Sequence, residues 1–222
     1  MTSSTRDMPV RVPKNNIPMA YKSGVSYFCE TPFFVNKNVL IPRFDTEVLV
    51  EIILLDTSSK RCSVLDLCTG SGCIAVLLAK HDHIVTATDI SRKALRVAKK
   101  NAKLNNVNIN FIRCDLFPRG GMFDVIVCNP PYIKTADIGK HDSSILHEPH
   151  IALDGGKDGL DFYRRIAKNA GGWLNCGGTL YLEICYEHSK CIKKLLQEND
   201  FHDIQIVKDQ QGHDRVIKCS KN

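Results

Sequence analysis

The spacing of apolar positions changes character several times along the chain. Residues 1 to about 20 carry Pro9, Pro13 and Pro18 with no periodicity and read as a flexible lead-in. Tyr27-Phe28 and Phe33-Phe34-Val35 are short apolar groups, and Asn36-Lys37-Asn38 is a turn signal before Val39-Leu40-Ile41. Together they predict a β-hairpin that ends at Pro42. Asp45 or Thr46 then offers a cap for a helix in which Val48, Leu49, Ile52 and Ile53 recur at helical spacing.

Beyond residue 60 two kinds of apolar run alternate. Those at 64–67, 84–88, 109–114, 123–128 and 178–184 are short and nearly continuous, as strands buried on both faces are. Helical spacing marks 72–80, 91–105, 161–170 and 187–198; Ser91 is placed as an N-cap, with Ala94, Leu95 and Ala98 on one face. Residues 204–207 and 215–219 read as two strands joined by the turn Asp209-Gln210-Gln211-Gly212. Strands alternating with helices predict an α/β fold, a mostly parallel sheet with helices on both faces and an antiparallel strand at its end. The expected division is a lead-in over 1–20, a hairpin and linking helix over 21–60, and one α/β domain over 61–222.

Composition adjusts this picture only slightly. The chain has 222 residues, 43% hydrophobic and 24% charged, enough to bury a core without staples. No apolar run approaches the roughly 18 residues of a membrane span, so no membrane association is expected. A net charge of +6 is a mild bias toward acidic partners, one shared by many intracellular proteins. Ten cysteines are present without a Cys-x-x-Cys pair, and Cys73, Cys114, Cys128 and Cys185 sit inside apolar runs. They read as small buried hydrophobes of a reducing compartment, with no metal site. His81 and His83 read as a solvated turn. Arg6, Arg11 and Lys14 among Ser3, Ser4 and Thr5 faintly resemble a transit peptide, against which Asp7 and the prolines count. A cytoplasmic location is expected, an organellar one if that leader is real.

Three motifs carry chemistry. In Val64-Leu65-Asp66-Leu67-Cys68-Thr69-Gly70-Ser71-Gly72 a strand runs into a glycine-rich turn that opens a helix. Ligands of open α/β sheets bind beyond such strand ends. The phosphate-binding glycine pattern and the Gly-Lys-Ser/Thr of a P-loop are both absent. Asp66 instead suits a cationic amino group, as at the methionine end of S-adenosylmethionine. Asp89 ends the next strand, where a carboxylate can accept both ribose hydroxyls. Asp115 ends the third and can accept from an adenine amino group, with Leu116 packed on the ring.

The third motif is Asn129-Pro130-Pro131-Tyr132, directly after the apolar strand Val125-Ile126-Val127-Cys128. Two prolines cannot continue a central strand. They form a rigid turn that donates no N–H and still offers carbonyls. The Asn129 side-chain oxygen and the Pro130 carbonyl can both accept from one –NH₂ group, and Tyr132 offers a flat face. An amide nitrogen is a poor nucleophile because its lone pair is delocalised. Two acceptors on its hydrogens aim that lone pair at a methyl donor, through orientation and preorganised electrostatics.

The combination resembles class I S-adenosylmethionine-dependent methyltransferases, and more closely the HemK/PrmC-type protein-(glutamine-N5) methyltransferases, which modify the glutamine of the Gly-Gly-Gln loop of peptide-chain release factors. The likeness extends to Val39-Leu40-Ile41-Pro42-Arg43-Phe44-Asp45-Thr46-Glu47, similar to the family's "IPRPETE" segment. It also takes in Phe123-Asp124, the run from Glu148 through Leu160, Gly177-Gly178 and Leu182-Glu183-Ile184. The resemblance implies a Rossmann-like seven-stranded sheet with an antiparallel C-terminal strand and a small N-terminal β-hairpin. It implies S-adenosylmethionine as cofactor, S-adenosylhomocysteine as product, and a release factor as protein substrate.

By the same resemblance Asp66, Cys68, Thr69, Gly70, Ser71, Gly72, Asp89, Asp115, Leu116 and Asn129 bind the cofactor. Asn129, Pro130 and Tyr132 are the catalytic residues. Together with Pro131, Arg43 and Glu47 they form the substrate site; a structural salt bridge is the competing role for Arg43. Cys68 stands where the usual turn has its first glycine, and Phe44 where the segment has its second proline. Family members usually carry an N-terminal helical domain, which makes 21–60 a remnant beside a missing one. A monomer that does not bind DNA directly is expected. A ribosomal-protein glutamine methyltransferase is the nearest alternative. Further off stand an adenine-N6 methyltransferase, which must reach a flipped base, and a non-catalytic methyltransferase-like partner.

Overall fold

A computed structural model describes residues 17–140 and 144–221. The first 16 residues of the expected lead-in lie outside the described residues. The one-turn helix α1 (Met19–Ser23) leads into β1 (Val25–Phe28) and β2 (Thr31–Phe34), an antiparallel pair. The hairpin is present, but upstream of the predicted place. Its turn is Cys29-Glu30, with φ of 44° and 57°. That double left-handed geometry matches the twist of paired strands, yet neither residue is a Gly, Asn or Asp, so no turn signal marked it. Asn36-Lys37-Asn38 does bend the chain, Asn36 Oδ1 accepting from the Asn38 amide at 3.0 Å, but residues 39–41 form no strand.

Helix α2 (Phe44–Asp56) starts before either predicted cap. Arg43 is the N-cap in extended conformation, and Asp45 and Thr46 lie in the first turn. There the carboxylates of Asp45 and Glu47 face the positive end of the helix dipole.

The main sheet contains β3 (Ser63–Leu67), β4 (Ile84–Asp89), β5 (Asn110–Arg113), β6 (Phe123–Cys128), β7 (Leu174–Glu183), β8 (His202–Lys208) and β9 (Asp214–Ser220). Their spatial order is β5-β4-β3-β6-β7-β9-β8. The first five are mutually parallel; β9 is antiparallel to both β7 and β8, so it alone runs against the rest. Between them run α3 (Cys73–Lys80), α4 (Arg92–Leu104), α5 (Asp161–Asn169) and α6 (Ser189–Gln197).

Strand side chains alternate between two cores. Val64, Val125 and Val127 pack with Leu49, Ile53, Ile74, Leu78 and the hairpin's Phe28 and Phe33. Leu65, Leu67, Ile126 and Leu180 pack on the other face with Tyr163, Ile166, Ile192 and Leu196. The chain reverses its direction of strand addition between β3 and β6, the switch point where open α/β sheets bind ligands. Among the described residues no helix is long and apolar enough to cross a membrane.

Candidate active site

The glycine-rich turn leaves β3 at this switch point. Cys68 takes a left-handed φ of 57°, a conformation glycine adopts without strain. Gly72 caps α3 at φ 82°, and a Cβ on it would sit 3.0 Å from that of Ala98. Only glycine lets α3 begin so close to α4. The Thr69 amide donates to the Thr88 carbonyl at 2.9 Å, tying the turn to β4. Asp89 completes the tie: Oδ2 accepts from the Gly70 amide at 2.9 Å and Oδ1 from the Ser91 amide at 2.7 Å. Each oxygen keeps a second lone pair.

An open cavity of about 660 Å³ lies over this turn. Cys68, Gly70, Asp89, Asp115, Leu116, Asn129 and Pro131 reach its wall, seven of the predicted site residues. Val39, Ile90, Ala94 and Phe162 add apolar surface. Leu116 is buried at φ 63°, and its carbonyl accepts from the Thr88 hydroxyl at 2.7 Å. Asp115 pairs with Arg165 at 2.7 Å across an exposed rim.

Thr69, Ser71 and Gly72 lie behind the wall, shaping the turn rather than lining the cavity. Asp66 lies deeper still, fully buried. Its Oδ2 accepts from the Thr69 hydroxyl at 2.6 Å, and its Oδ1 has no partner. Burial pushes this carboxyl up to about 7, against the lowering effect of Thr69.

A second cavity of about 430 Å³ adjoins the first, lined by Arg43, Asn129, Pro130, Tyr132, Leu153 and Glu183 among others. Leu40, Asn129 and Ala152 belong to both walls, so the two spaces meet at Asn129. Asn129 Nδ2 donates to Thr46 Oγ1 at 3.1 Å, in the first turn of α2. The segment after Tyr132 is clamped to 153–155: the Ile133 amide donates to Leu153 and the Gly155 amide to Ile133, at 3.0 and 2.8 Å. A Cβ on Gly155 would sit 2.7 Å from Tyr132 Cα, so this close approach requires glycine.

Arg43 lines the second cavity and also forms an ion pair with buried Glu148, whose Oε2 accepts from the Ile41 amide at 3.2 Å. Both roles weighed for it from sequence are therefore compatible. Glu47 lies on neither wall. Its Oε1 accepts from the Cys29 amide at 2.7 Å and so holds the hairpin turn. Sequence reasoning offered Thr46 only as a helix cap and placed Glu148 and Glu183 only within resembling segments. Thr46 and Glu183 converge on Asn129 from α2 and from the end of β7, a proximity that only the fold creates.

Residues 43–155 match the family model described as the methyltransferase small domain. A release factor glutamine methyltransferase of Streptococcus pneumoniae is 42% identical over 205 residues, covering 90% of this chain and 74% of its own. That of Thermodesulfovibrio yellowstonii is 39% identical over 216 residues, covering 92% and 77%. The chain belongs to the release factor glutamine methyltransferase family. A crystal structure described as a release factor-specific protein-(glutamine-N5) methyltransferase, from Alicyclobacillus acidocaldarius, superposes with a TM-score of 0.53 at 31% identity. It covers 86% of this chain and 99% of its own. The family's fold is that of S-adenosylmethionine-dependent methyltransferases, and the mostly parallel seven-stranded sheet with an antiparallel C-terminal strand agrees with the expectation from sequence.

Proposed function

We propose that this chain transfers a methyl group from S-adenosylmethionine to the side-chain nitrogen of the glutamine in the Gly-Gly-Gln loop of a peptide-chain release factor. The observation that carries the proposal is the meeting of two cavities at Asn129. The larger suits a nucleoside. Asp89 offers two oxygens for ribose hydroxyls; Leu116, Ile90 and Phe162 offer apolar surface for adenine, with Asp115 at the rim. The unpartnered Oδ1 of Asp66 fits an ammonium group, or a water leading to one, at the base of the turn. The bound cofactor supplies an electrophilic methyl carbon and leaves as S-adenosylhomocysteine.

The smaller cavity suits a glutamine side chain. Asn129 spends its amino group on Thr46, so its Oδ1 is the end that accepts. With the Pro130 carbonyl it holds both hydrogens of the substrate carboxamide. The nitrogen lone pair then points along the line between the cavities. Tyr132 and Leu153 exclude water around the carboxamide, which strengthens those hydrogen bonds. After transfer the nitrogen carries one surplus proton, which passes to solvent through the open side of the site. Release factor and glutamine are read from the relatives' activity together with this geometry.

Mass spectrometry of a Gly-Gly-Gln release factor, incubated with the protein and S-adenosylmethionine, tests the proposal. One added methyl on the glutamine side chain is expected. Label on duplex DNA or on a ribosomal protein instead would overturn it.

A further inference from the structure

Glu183 ends β7 fully buried, beside the second cavity. A carboxyl group in that position is costly unless it is used. Its Oε2 has no hydrogen-bond partner, while the Thr46 hydroxyl and the Asn129 carboxamide both act to favour its charged form. The proton inventory links these three groups. Thr46 Oγ1 accepts from Asn129 Nδ2, so its single hydroxyl proton remains to be donated. A carboxylate at Glu183 can only accept it.

We infer that Glu183 is a positioning residue: as a carboxylate it orders the Thr46 hydroxyl, and through it fixes Asn129 with Oδ1 turned toward the substrate carboxamide. A protonated Glu183 becomes a donor to Thr46 Oγ1, which leaves the Thr46 proton without its acceptor. That proton can then turn to Asn129, whose amide flips to accept it through Oδ1, away from the substrate. This inference rests on the reading of Asn129 as the carboxamide acceptor.

Burial pushes Glu183 up to about 7. The charged groups facing it are Arg215 from β9, which favours the carboxylate, and Asp45 from α2, which opposes it. Tyr132 and Tyr163 also face it, from the loop after β6 and from α5. Both phenols are held above their ordinary value by burial and stay neutral near pH 7. Cys185 lies among the same groups, with Cys73 and Cys128 beneath, the latter two raised by burial.

The test reads the network directly and then through turnover. In ¹⁵N-labelled protein the Asn129 carboxamide resonances, assigned by their loss in Asn129→Ala, should titrate with a midpoint near 7 in the wild type and stay flat in Glu183→Gln. Thr46→Val should lower kcat about tenfold or more while leaving KM for S-adenosylmethionine unchanged, and Thr46→Ser should restore it. The acidic limb of the kcat profile should vanish in Glu183→Gln. Asn129 resonances that ignore pH, or a Thr46→Val variant with wild-type kcat, would overturn the inference. The resonances need no turnover. If the wild type fails to methylate the release factor, the functional reading falls while the network is still decided by the titration.

Discussion

At the scale of single residues the site divides its labour between two side chains. Asp89 grips the glycine-rich turn through two amides and presents its remaining lone pairs to the larger cavity. Asn129 stands between the cavities and touches the turn through neither oxygen nor nitrogen. Asp89→Ala should therefore raise the cofactor dissociation constant at least tenfold, or about 1.4 kcal/mol, measured by calorimetry with S-adenosylhomocysteine. Asn129→Ala should leave that constant within a few-fold and abolish turnover. The reverse pattern would show the roles to be misassigned. Asp89, Gly70 and the Asn129–Tyr132 turn were legible because each follows an apolar strand, and strand ends are where such sheets bind. Glu47 was placed at the substrate site by resemblance of its segment alone, and it lines neither cavity. It follows Arg43 by one helical turn, but the helix directs it to Cys29 rather than to the cavity. No sequence pattern distinguishes these two directions before the hairpin's position is known.

Between elements, one buried side chain joins three pieces. Asn101 of α4 accepts from the Phe34 amide at 2.7 Å and donates to the Phe34 and Ser71 carbonyls at 3.0 and 2.8 Å. It links β2, α4 and the glycine-rich turn, and it is fully buried. Replacing it by Ala strands one amide and two carbonyls. The cost should be about 3 kcal/mol, three hydrogen bonds at roughly 1 kcal/mol each, read as a lower urea midpoint with an unchanged slope. A loss below about 0.5 kcal/mol, the size of an ordinary surface change, would mean that water replaces the side chain. From sequence, Asn101 is one of several polar residues in a Lys-rich helix. The alternation of strands and helices was readable because short continuous apolar runs and a spacing of about 3.6 residues differ plainly. The hairpin was readable as an element but not in register, because its turn at Cys29-Glu30 is held from outside by Glu47.

For the whole molecule, the carboxyl edge of the sheet holds two fully buried acids, Asp66 at the end of β3 and Glu183 at the end of β7, both pushed up to about 7 by burial. Their ordinary values are 3.8 and 4.5. Between those values and 7 the folded chain binds more protons than the unfolded one, so each contributes stability at low pH that is lost as pH rises. The loss is on the order of 4 kcal/mol for Asp66 and 3 kcal/mol for Glu183. His83 and His188 act in the opposite sense: burial lowers both, so their contribution falls away as pH drops below the ordinary histidine value. The wild-type curve is the sum of these terms, and a difference against a variant isolates one of them. Asp66→Asn keeps an acceptor for the Thr69 hydroxyl and removes the titration. Its thermal midpoint relative to wild type should climb between about pH 4 and pH 7 and level off above. A difference that stays constant across that range would show that Asp66 does not titrate there. Over the same window Glu183 takes the charge that the inferred network uses to hold Asn129. Stability and positioning therefore oppose one another across this window: the form of the protein best arranged to present Asn129 carries two buried carboxylates, only partly offset by their partners, at the edge where the cavities open.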